Sequence, residues 1–257
     1  MTKKGIDVSV HNGSINWAKV KESVDFVLIR AGYSTQTDAM FLHNSAECQR
    51  LGIPYGVYWF SYAISKGDAV KEAKKCLSDI SGLNITYPVC FDFEYDSDNY
   101  YYKKTGKTMT ANERAEIADA FLSEIKKAGY TACIYTNVDY LNKGFAKVAE
   151  KYDLWLAHWG VSKPYKTCAI WQSSDSGKIN GISGFVDIDY CYKDYASNKT
   201  NTNELEKIKE RFYEKYYDIA KDVIAGKYGN GEERKKKMKE KGDDYAYAQA
   251  IVNELVK

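Results

Sequence analysis

The chain has 257 residues, of which 44% are hydrophobic and 28% are charged, and its formal net charge is +2. This length allows one large barrel, or one domain of about 200 residues with a small appendage. The 37 basic and 35 acidic residues leave no basic excess of the kind that nucleic-acid-binding domains carry. No run reaches the roughly 18 apolar residues of a membrane span, so we expect neither a nucleic-acid partner nor a membrane partner.

The N-terminus enters a strand-like segment at residue 5, which we interpret as leaving no room for a signal peptide. The six cysteines form no Cys-x-x-Cys pair and lie within apolar segments, which is typical of reduced core residues. We therefore expect a protein made in the cytoplasm. The three histidines are scattered, and neither a metal site nor a cofactor is expected.

Eight strand-like runs follow one another along the first 190 residues. They occupy residues 5–10, 26–30, 55–60, 88–94, 130–135, 153–158, 168–172 and 185–190, with helical patterns between the first six at 15–23, 38–51, 67–81, 110–128 and 138–151. Strands that alternate with helices pair in parallel, and eight of them can close into a barrel. We predict an α/β fold, an irregular TIM-like barrel of five βα units plus three further strands. The short final links allow some antiparallel pairing.

The sequence changes character after the last strand. Residues 196–203 (ASNKTNTN) have linker composition and no apolar period, and helical patterns then resume. From about residue 215 the pattern indicates a helix, a Gly-rich turn at 226–231 and two further helices at 232–241 and 245–256. We predict a barrel domain over residues 1–196, a linker over 197–213 and a small three-helix module over 214–257, which would be marginally stable alone.

Two acidic residues stand one residue apart at the end of the fourth apolar run. Side chains of a strand alternate between its faces, so Asp92 and Glu94 should point the same way, with Cβ atoms roughly 6.5 Å apart. Like charges this close oppose each other's ionisation and raise one pKa, which is how a general acid arises. Asp96 and Asp98 follow and fit a solvated loop.

Two more acids lie in the first and the eighth strand, Asp7 and Asp187. Closure of the barrel makes these strands neighbours, and chemistry in such barrels takes place at the carboxyl ends of the strands. We therefore expect four acids to line one cleft. Asp7 and Asp187 could instead accept hydrogen bonds from backbone amides at loop ends. Asp189 is expected nearer the rim and is left out of the set.

Paired carboxylates without a metal signature favour glycoside hydrolysis, in which one carboxylic acid protonates the leaving oxygen and another carboxylate handles the developing positive charge. The spacing does not separate the ~5 Å of retaining enzymes from the ~6.5–9.5 Å of inverting ones. Aromatic rings near the same rim suit a saccharide. Those expected to bind substrate are Tyr33, Tyr58, Phe60, Tyr62, Tyr135, Trp155 and Trp171.

Seven segments together resemble glycoside hydrolase family 25, the lysozymes (N-acetylmuramidases) common among bacteriophage endolysins. They are residues 5–9 (GIDVS), 56–60 (GVYWF), 91–94 (FDFE), 134–137 (IYTN), 154–157 (LWLA), 170–172 (IWQ) and 186–190 (VDIDY). The resemblance implies cleavage of the β-1,4 bond between N-acetylmuramic acid and N-acetylglucosamine in peptidoglycan. It also implies that Glu94 is the general acid. We predict separately that Asp92 and the other acids raise the pKa of Glu94 by crowding it. Asp92 would orient the 2-acetamido group or stabilise the cation, and Asp7 and Asp187 would complete the acidic cleft.

Residues 219–234, with Gln249, Val252 and Asn253, are similar to the short three-helix cell-wall-binding repeats of some phage lysozymes. This resemblance implies that the module binds a muropeptide of the wall through Tyr228, Arg234 and Asn253. Tyr228 stands where the pattern usually has Trp, and a single copy would gain tight binding only through an oligomer. The alternative is a helical tail that only stabilises the barrel.

The resulting hypothesis is a lytic muramidase, an endolysin that acts on peptidoglycan strands of the bacterial wall after its release from the cytoplasm. Two alternatives stay open, a catalytically inactive carbohydrate-binding protein of the cell wall and a glycosidase of another polysaccharide. The retaining, inverting and substrate-assisted mechanisms are all compatible with the sequence.

Overall fold

The computed structural model describes residues 2–195, residues 216–241 and positions 245, 248, 249, 252 and 255. The predicted linker at 197–213 and the predicted wall-binding residue Asn253 lie outside the described residues.

Within the described residues, nine strands form one sheet, and eight of them close into a barrel. The strands are β1 Lys3–Val8, β2 Phe26–Tyr33, β3 Gln36–Thr37, β4 Tyr55–Phe60, β5 Val89–Asp92, β6 Ala132–Asn137, β7 Asp153–Ala157, β8 Ile170–Gly177 and β9 Val186–Cys191. Their order is β1-β9-β8-β7-β6-β5-β4-β2-β3, and β1 also pairs with β2 to complete the ring. The predicted eight-stranded barrel is confirmed, and β3 only extends the end of β2 as a short hairpin.

The last strand runs against its two neighbours. The pairings from β1 through β2 and β4 to β8 are parallel, whereas β9 pairs antiparallel with both β8 and β1. Residues 178–185 connect β8 to β9 and are too few for the crossover that a parallel strand needs. β9 therefore begins at the rim where the parallel strands end, and places Asp187 directly opposite Asp7.

Helices of unequal length cover the barrel. They are α1 Trp17–Val20, α2 Phe41–Leu51, α3 Lys66–Asp79, α4 Tyr95–Thr105, α5 Ala111–Lys127 and α6 Val138–Tyr140. The predicted helix at 15–23 is a single turn. The predicted helix at 138–151 is wrong beyond α6, because the chain widens into one π-helical turn at Leu141–Phe145, in which Gly144 is not helical, and residues 146–151 form turns.

Helix α4 occupies the segment that was expected to be a solvated loop. Asp98 lies in its first turn, where a carboxylate favours the helix N-terminus. Asp98 accepts hydrogen bonds from Arg114 Nη2 at 2.6 Å and from the Tyr140 hydroxyl at 2.8 Å, so it joins α4 to α5 and α6. The helix has no continuous apolar stripe, which is why the sequence pattern did not reveal it.

The core lies in two layers, one inside the barrel and one between the strands and the helices. The rings of Phe26 and Tyr87 stack at 4.5 Å within the barrel. Gly5 makes room for this pair, because a Cβ atom at that position would lie 2.5 Å from the Phe26 ring. All six cysteines lie within the described residues, where they are buried and none forms a disulfide.

The described part of the C-terminal module is helical. Residues 216–224 form α7, Gly231–Lys241 form α8, and the described positions from 245 onward are also helical. Their apolar side chains make a separate buried cluster of Tyr216, Ala220, Val223, Tyr228, Met238, Ala248 and Val252. Within the described residues, the structure holds no helix with the length and apolar character needed to cross a membrane.

Replacement of Asp98 by alanine tests its role in holding α4. Because Arg114 is buried, the loss of its partner should lower the free energy of unfolding by about 3 kcal/mol. Asp96→Ala is the matched control in the same helical turn, where an exposed carboxylate accepts one bond from Tyr62, and it should cost about 1 kcal/mol or less. Urea denaturation measures both, and equal losses would contradict the role assigned to Asp98.

Candidate active site

A cavity of about 280 Å³ opens at the carboxyl ends of the parallel strands. Its lining includes all four acids that the sequence singled out. The lining residues are Asp7, Ser9, His11, Asn12, Arg30, Tyr58, Phe60, Asp92, Glu94, Tyr135, Trp155, Trp159, Gln172 and Asp187. The structure thus brings residues from β1, β5, β9 and the start of α4 to one cleft.

Asp92 and Glu94 reach the cleft from consecutive elements. Asp92 is the last residue of β5, and Glu94 precedes the first turn of α4 in an extended conformation. Phe93, between them, packs into the layer under the helices, so the two carboxyl groups share one side as the alternation predicted. Asp92 is buried and Glu94 is partly exposed, which leaves Glu94 as the more accessible acid.

The pKa values of both acids are raised. Burial is the main cause for Glu94, followed by the charges of Asp187 and Asp96. Burial also raises the pKa of Asp92 well above its usual range, with a further contribution from Glu94 and an opposing one from Arg30. The raised pKa of Glu94 was expected from crowding by Asp92 and the other acids, whereas its causes are burial first and then the charges of Asp187 and Asp96.

Asp7 and Asp187 face each other across the β1–β9 pairing. Burial and the nearby Asp175 raise the pKa of Asp187 to about 6. The pKa of Asp7 is also raised well above its usual range, because Asp7 is buried and both Asp189 and Asp187 lie close to it. All four acids of the cleft therefore favour their protonated forms more than free carboxylic acids do.

Asp189 is the acid that the sequence analysis misplaced. It was expected nearer the rim, but its side chain is 0% exposed and accepts a hydrogen bond from Trp155 Nε1 at 2.8 Å. Burial raises its pKa to about 8. Because β9 runs downward from the rim, Asp189 lies deeper than Asp187. The short connection before β9 was the signal for this reversed order.

Gln172 joins the floor of the cleft to its rim, and sequence reasoning gave it no role. Its Nε2 donates to Asp7 Oδ2 at 2.7 Å. Its Oε1 accepts from the Tyr135 hydroxyl at 2.8 Å and from Trp159 Nε1 at 3.1 Å. Side chains alternate along β8, so Gln172 points inward and Trp171 points outward. The Trp171 indole donates there to the backbone oxygen of His158. The expectation that Trp171 faces the cleft is therefore wrong.

The remaining aromatic residues divide into two groups. Tyr58, Tyr135 and Trp155 are buried and form the floor of the cleft, with the Tyr135 and Trp155 ring centroids 4.5 Å apart. Tyr33 and Tyr62 instead line an adjoining groove of about 450 Å³, together with Val10, His11, Arg30, Phe60 and Asp96. Arg30 lies between the cleft and the groove, and its Nε donates to the buried carboxylate of Asp38 at 2.7 Å.

Glu72 anchors the end of β4 that carries this aromatic rim. It lies on α3, is buried, and accepts hydrogen bonds from Ser61 Oγ at 2.6 Å and from the Tyr62 backbone N–H at 3.0 Å. Ser61 in turn donates its backbone N–H to the Asp92 carbonyl oxygen at 2.8 Å. Burial raises the pKa of Glu72 to about 8.

The described residues of the predicted wall-binding set have contacts within their own module. Tyr228 is buried in the cluster of the C-terminal helices. Arg234 donates to the Gly229 carbonyl oxygen at 3.1 Å and to Gln249 Oε1 at 2.8 Å. These contacts hold the turn before α8 against the following helix. Throughout the residues that the structure describes, no group of three or more His, Cys, Asp or Glu side chains is arranged to hold a metal ion.

Comparison with known proteins finds two matches to family models. Residues 6–182 match the glycosyl hydrolases family 25, and residues 217–256 match the CW_7 repeat. The autolytic lysozyme of Clostridium acetobutylicum is 30% identical over 190 residues, which are 72% of this chain and 55% of that protein. Lysozyme M1 of Streptomyces globisporus is 32% identical over 198 residues, covering 72% of this chain and 66% of that protein.

A solved structure shows the same likeness. The modular autolysin LytC from Streptococcus pneumoniae, in complex with a synthetic peptidoglycan ligand, superposes with a TM-score of 0.65 at 32% identity. The superposition covers 74% of this chain and 47% of that one. The chain therefore spans between about half and two thirds of the length of these relatives.

Asp187→Asn should lower the pKa of Glu94, because it removes the charge that contributes most to raising it. The pKa should stay above that of a free glutamate, since burial is the larger cause. Carbon-13 NMR titration of the glutamate side-chain carboxyls measures the change. Asp119→Asn, on the outer face of α5, is the control and should leave Glu94 unchanged. An unaltered Glu94 in the Asp187 variant would contradict the assigned cause.

Glu72 should make the protein less stable as the pH rises. The folded state keeps a proton on Glu72 up to a pKa of about 8, whereas the unfolded chain releases it near its ordinary value of 4.5. The stability from this proton is fully present below pH 4.5 and is lost as the pH rises through 8. Glu72→Gln should therefore flatten the fall in unfolding free energy between pH 5 and pH 9. The exposed Glu116→Gln is the control, and equal slopes in urea denaturation would refute the effect.

Proposed function

The chain belongs to glycosyl hydrolase family 25, and from that premise we propose that it is a lysozyme of bacterial peptidoglycan. The bond cleaved would be the β-1,4 linkage between N-acetylmuramic acid and N-acetylglucosamine. The observation that carries this proposal is Glu94, an accessible carboxyl group with a raised pKa at the mouth of a cleft lined by other acids.

Glu94 is suited to donate the proton to the leaving glycosidic oxygen. A general acid must hold a proton near the working pH and must reach the bond that breaks. The raised pKa of Glu94 meets the first requirement. Its partial exposure at the start of α4 meets the second, whereas Asp92 lies deeper.

Asp92 is suited to act on the 2-acetamido group of the sugar. Its Oδ1 atom is buried in the cleft wall and receives no hydrogen bond from the described residues. This Oδ1 atom would accept the acetamido N–H and orient the carbonyl oxygen toward the anomeric carbon. That oxygen forms a bond to the anomeric carbon as the glycosidic bond breaks, and the Glu94 proton goes to the leaving oxygen. A water molecule then opens the ring so formed and returns a proton to Glu94.

The likeness to LytC, whose structure holds a synthetic peptidoglycan ligand, supports peptidoglycan as the substrate class. The CW_7 match supports a C-terminal module that binds a muropeptide of the wall. We also propose that the protein acts on the bacterial wall after release from the cytoplasm, as an endolysin does. The autolytic lysozyme and the autolysin among its relatives favour a second candidate role, in which a bacterium remodels its own wall.

Replacement of Glu94 by glutamine tests the assigned reaction. The variant should clear a suspension of Gram-positive cell walls at least about 100-fold more slowly, because a general acid contributes roughly 10²–10⁴ to the rate. It should still sediment with the walls, which separates catalysis from binding. Glu116→Gln on the exposed face of α5 is the matched control and should be fully active.

The same experiment separates the alternatives. Borohydride reduction of the products should label muramic acid, and label on glucosamine would show that another bond is cleaved. Undiminished clearing by Glu94→Gln would remove Glu94 as the acid. A wild-type protein that sediments with walls but releases no reducing ends would be an inactive carbohydrate-binding protein. Release from other polysaccharides alone would indicate a different glycosidase.

A further inference from the structure

Two buried carboxyl groups meet beneath the cleft. Asp7 comes from β1 and Asp189 from β9, and the two antiparallel strands turn both side chains into the barrel. Asp7 is 6% exposed and Asp189 is 0% exposed. Their carboxyl groups are within hydrogen-bonding reach of each other. Two ionised carboxylates in contact at this depth would be strongly unfavourable.

The hydrogen bonds around Asp7 and Asp189 show which of their carboxyl oxygen atoms have no other partner. Asp189 Oδ1 accepts from Trp155 Nε1, whereas the buried Asp189 Oδ2 receives no bond from any N–H or O–H group in the described part of the chain. Buried polar atoms without a partner are rare in folded proteins. The carboxyl group of Asp7 is within reach, and it can bond to Asp189 Oδ2 only if one of the two acids carries a proton.

Gln172 determines where on Asp7 that proton can lie. Because Gln172 Oε1 accepts from both Tyr135 and Trp159, its Nε2 must be the atom that donates to Asp7 Oδ2. Asp7 Oδ2 is therefore an acceptor and carries no proton. The position left for the proton is between the other oxygen of Asp7 and Asp189 Oδ2.

We propose that Asp7 and Asp189 share one proton at neutral pH, and that this pair is a positioning unit for the cleft. It holds Asp7 as the fixed acceptor of Gln172, and Gln172 then fixes the Tyr135 hydroxyl and the indole of Trp159. Trp159 is 47% exposed at the cleft, so the chain of bonds runs from a fully buried acid to a ring in contact with solvent.

The groups around the pair are consistent with one retained proton. Asp187 raises the pKa of both acids, and burial is the largest cause for each. The hydrogen bonds from Gln172 to Asp7 and from Trp155 to Asp189 act in the opposite direction. Among the described residues, the other titratable or charged groups facing this part of the barrel include Arg30 on β2, Tyr58 on β4, Cys90 and Asp92 on β5, Glu94 before α4, Cys133 and Tyr135 on β6 and Cys191 on β9.

Asp189→Asn is the decisive variant. An amide has the shape of a protonated carboxyl group, so its N–H can donate to Asp7 while its oxygen still accepts from Trp155. Asp189→Leu has similar bulk but supplies neither group. If the pair shares a proton, the asparagine variant should keep kcat within about threefold. The leucine variant should lose about tenfold or more in kcat, because Asp7 then lacks its partner and no longer holds Gln172 in place.

The proton is measured directly on the free protein. Carbon-13 NMR or infrared spectra of aspartate-labelled protein at pH 7 should show a protonated carboxyl signal that Asp189→Asn removes. The wild type should also lose stability more steeply than the asparagine variant as the pH rises through about 8, because the variant keeps only the loss that Glu72 causes. Asp218→Asn, an exposed acid on α7, is the matched control and should change neither readout.

Two results would overturn the proposal. One is a spectrum at pH 7 in which Asp189→Asn removes only an ionised carboxylate, which would mean that both acids are charged. The other is an asparagine variant as impaired in kcat as the leucine variant, which would mean that the cleft needs a charge at this position. The kcat comparison rests on the proposed lysozyme activity, but the spectra and the pH-dependent stability do not. An inactive protein would therefore refute the proposed function and still leave the shared proton testable.

Discussion

The antiparallel return of β9 onto β1 is the constraint on which the site depends. β9 closes the barrel between β8 and β1, and it enters from the rim instead of from the base. Asp187 is thereby set opposite Asp7 at the mouth, and Asp189 lies below it beside Trp155. A parallel final strand would reverse this order and would leave Asp189 near solvent. The direction of one strand thus decides which acid faces the cavity and which becomes part of its floor.

This arrangement gathers acids where water is largely excluded, and its main electrostatic consequence is that protons are retained. Burial is the largest cause of the raised pKa at Asp7, Asp92, Glu94 and Asp187 alike. Arg30 opposes the trend at Asp92, but its Nε is already engaged by Asp38. The carboxyl groups of such a cleft keep their protons at a higher pH than free carboxylic acids do. Glycosidic cleavage by a carboxylic acid requires a group of this kind.

The sequence predicted the repeating part of this fold well, because strand and helix patterns alternate regularly up to residue 128. It failed where tertiary contacts override the local pattern. Helix α4 has few apolar positions and depends on the bonds of Asp98 to Arg114 and Tyr140. The segment after α6 has an apolar pattern, but Gly144 leaves the helical conformation. The cluster of Asp7, Asp92, Glu94 and Asp187 was predictable because barrel closure alone brings strand ends together, whereas the depth of Asp189 required the direction of β9.

The proposed division of labour between Asp92 and Glu94 rests on their positions on consecutive elements. Asp92 ends a strand, where its buried carboxyl group changes its charge only at high energetic expense. Glu94 is placed where burial favours the neutral acid, while the N-terminus of α4 offers partial positive charge to the carboxylate that remains after proton donation. Opposing influences of this kind bring the two protonation states of Glu94 closer in free energy. A group that must give up a proton and take it back within one catalytic cycle needs that balance, and Asp92, without a helix terminus, lacks it.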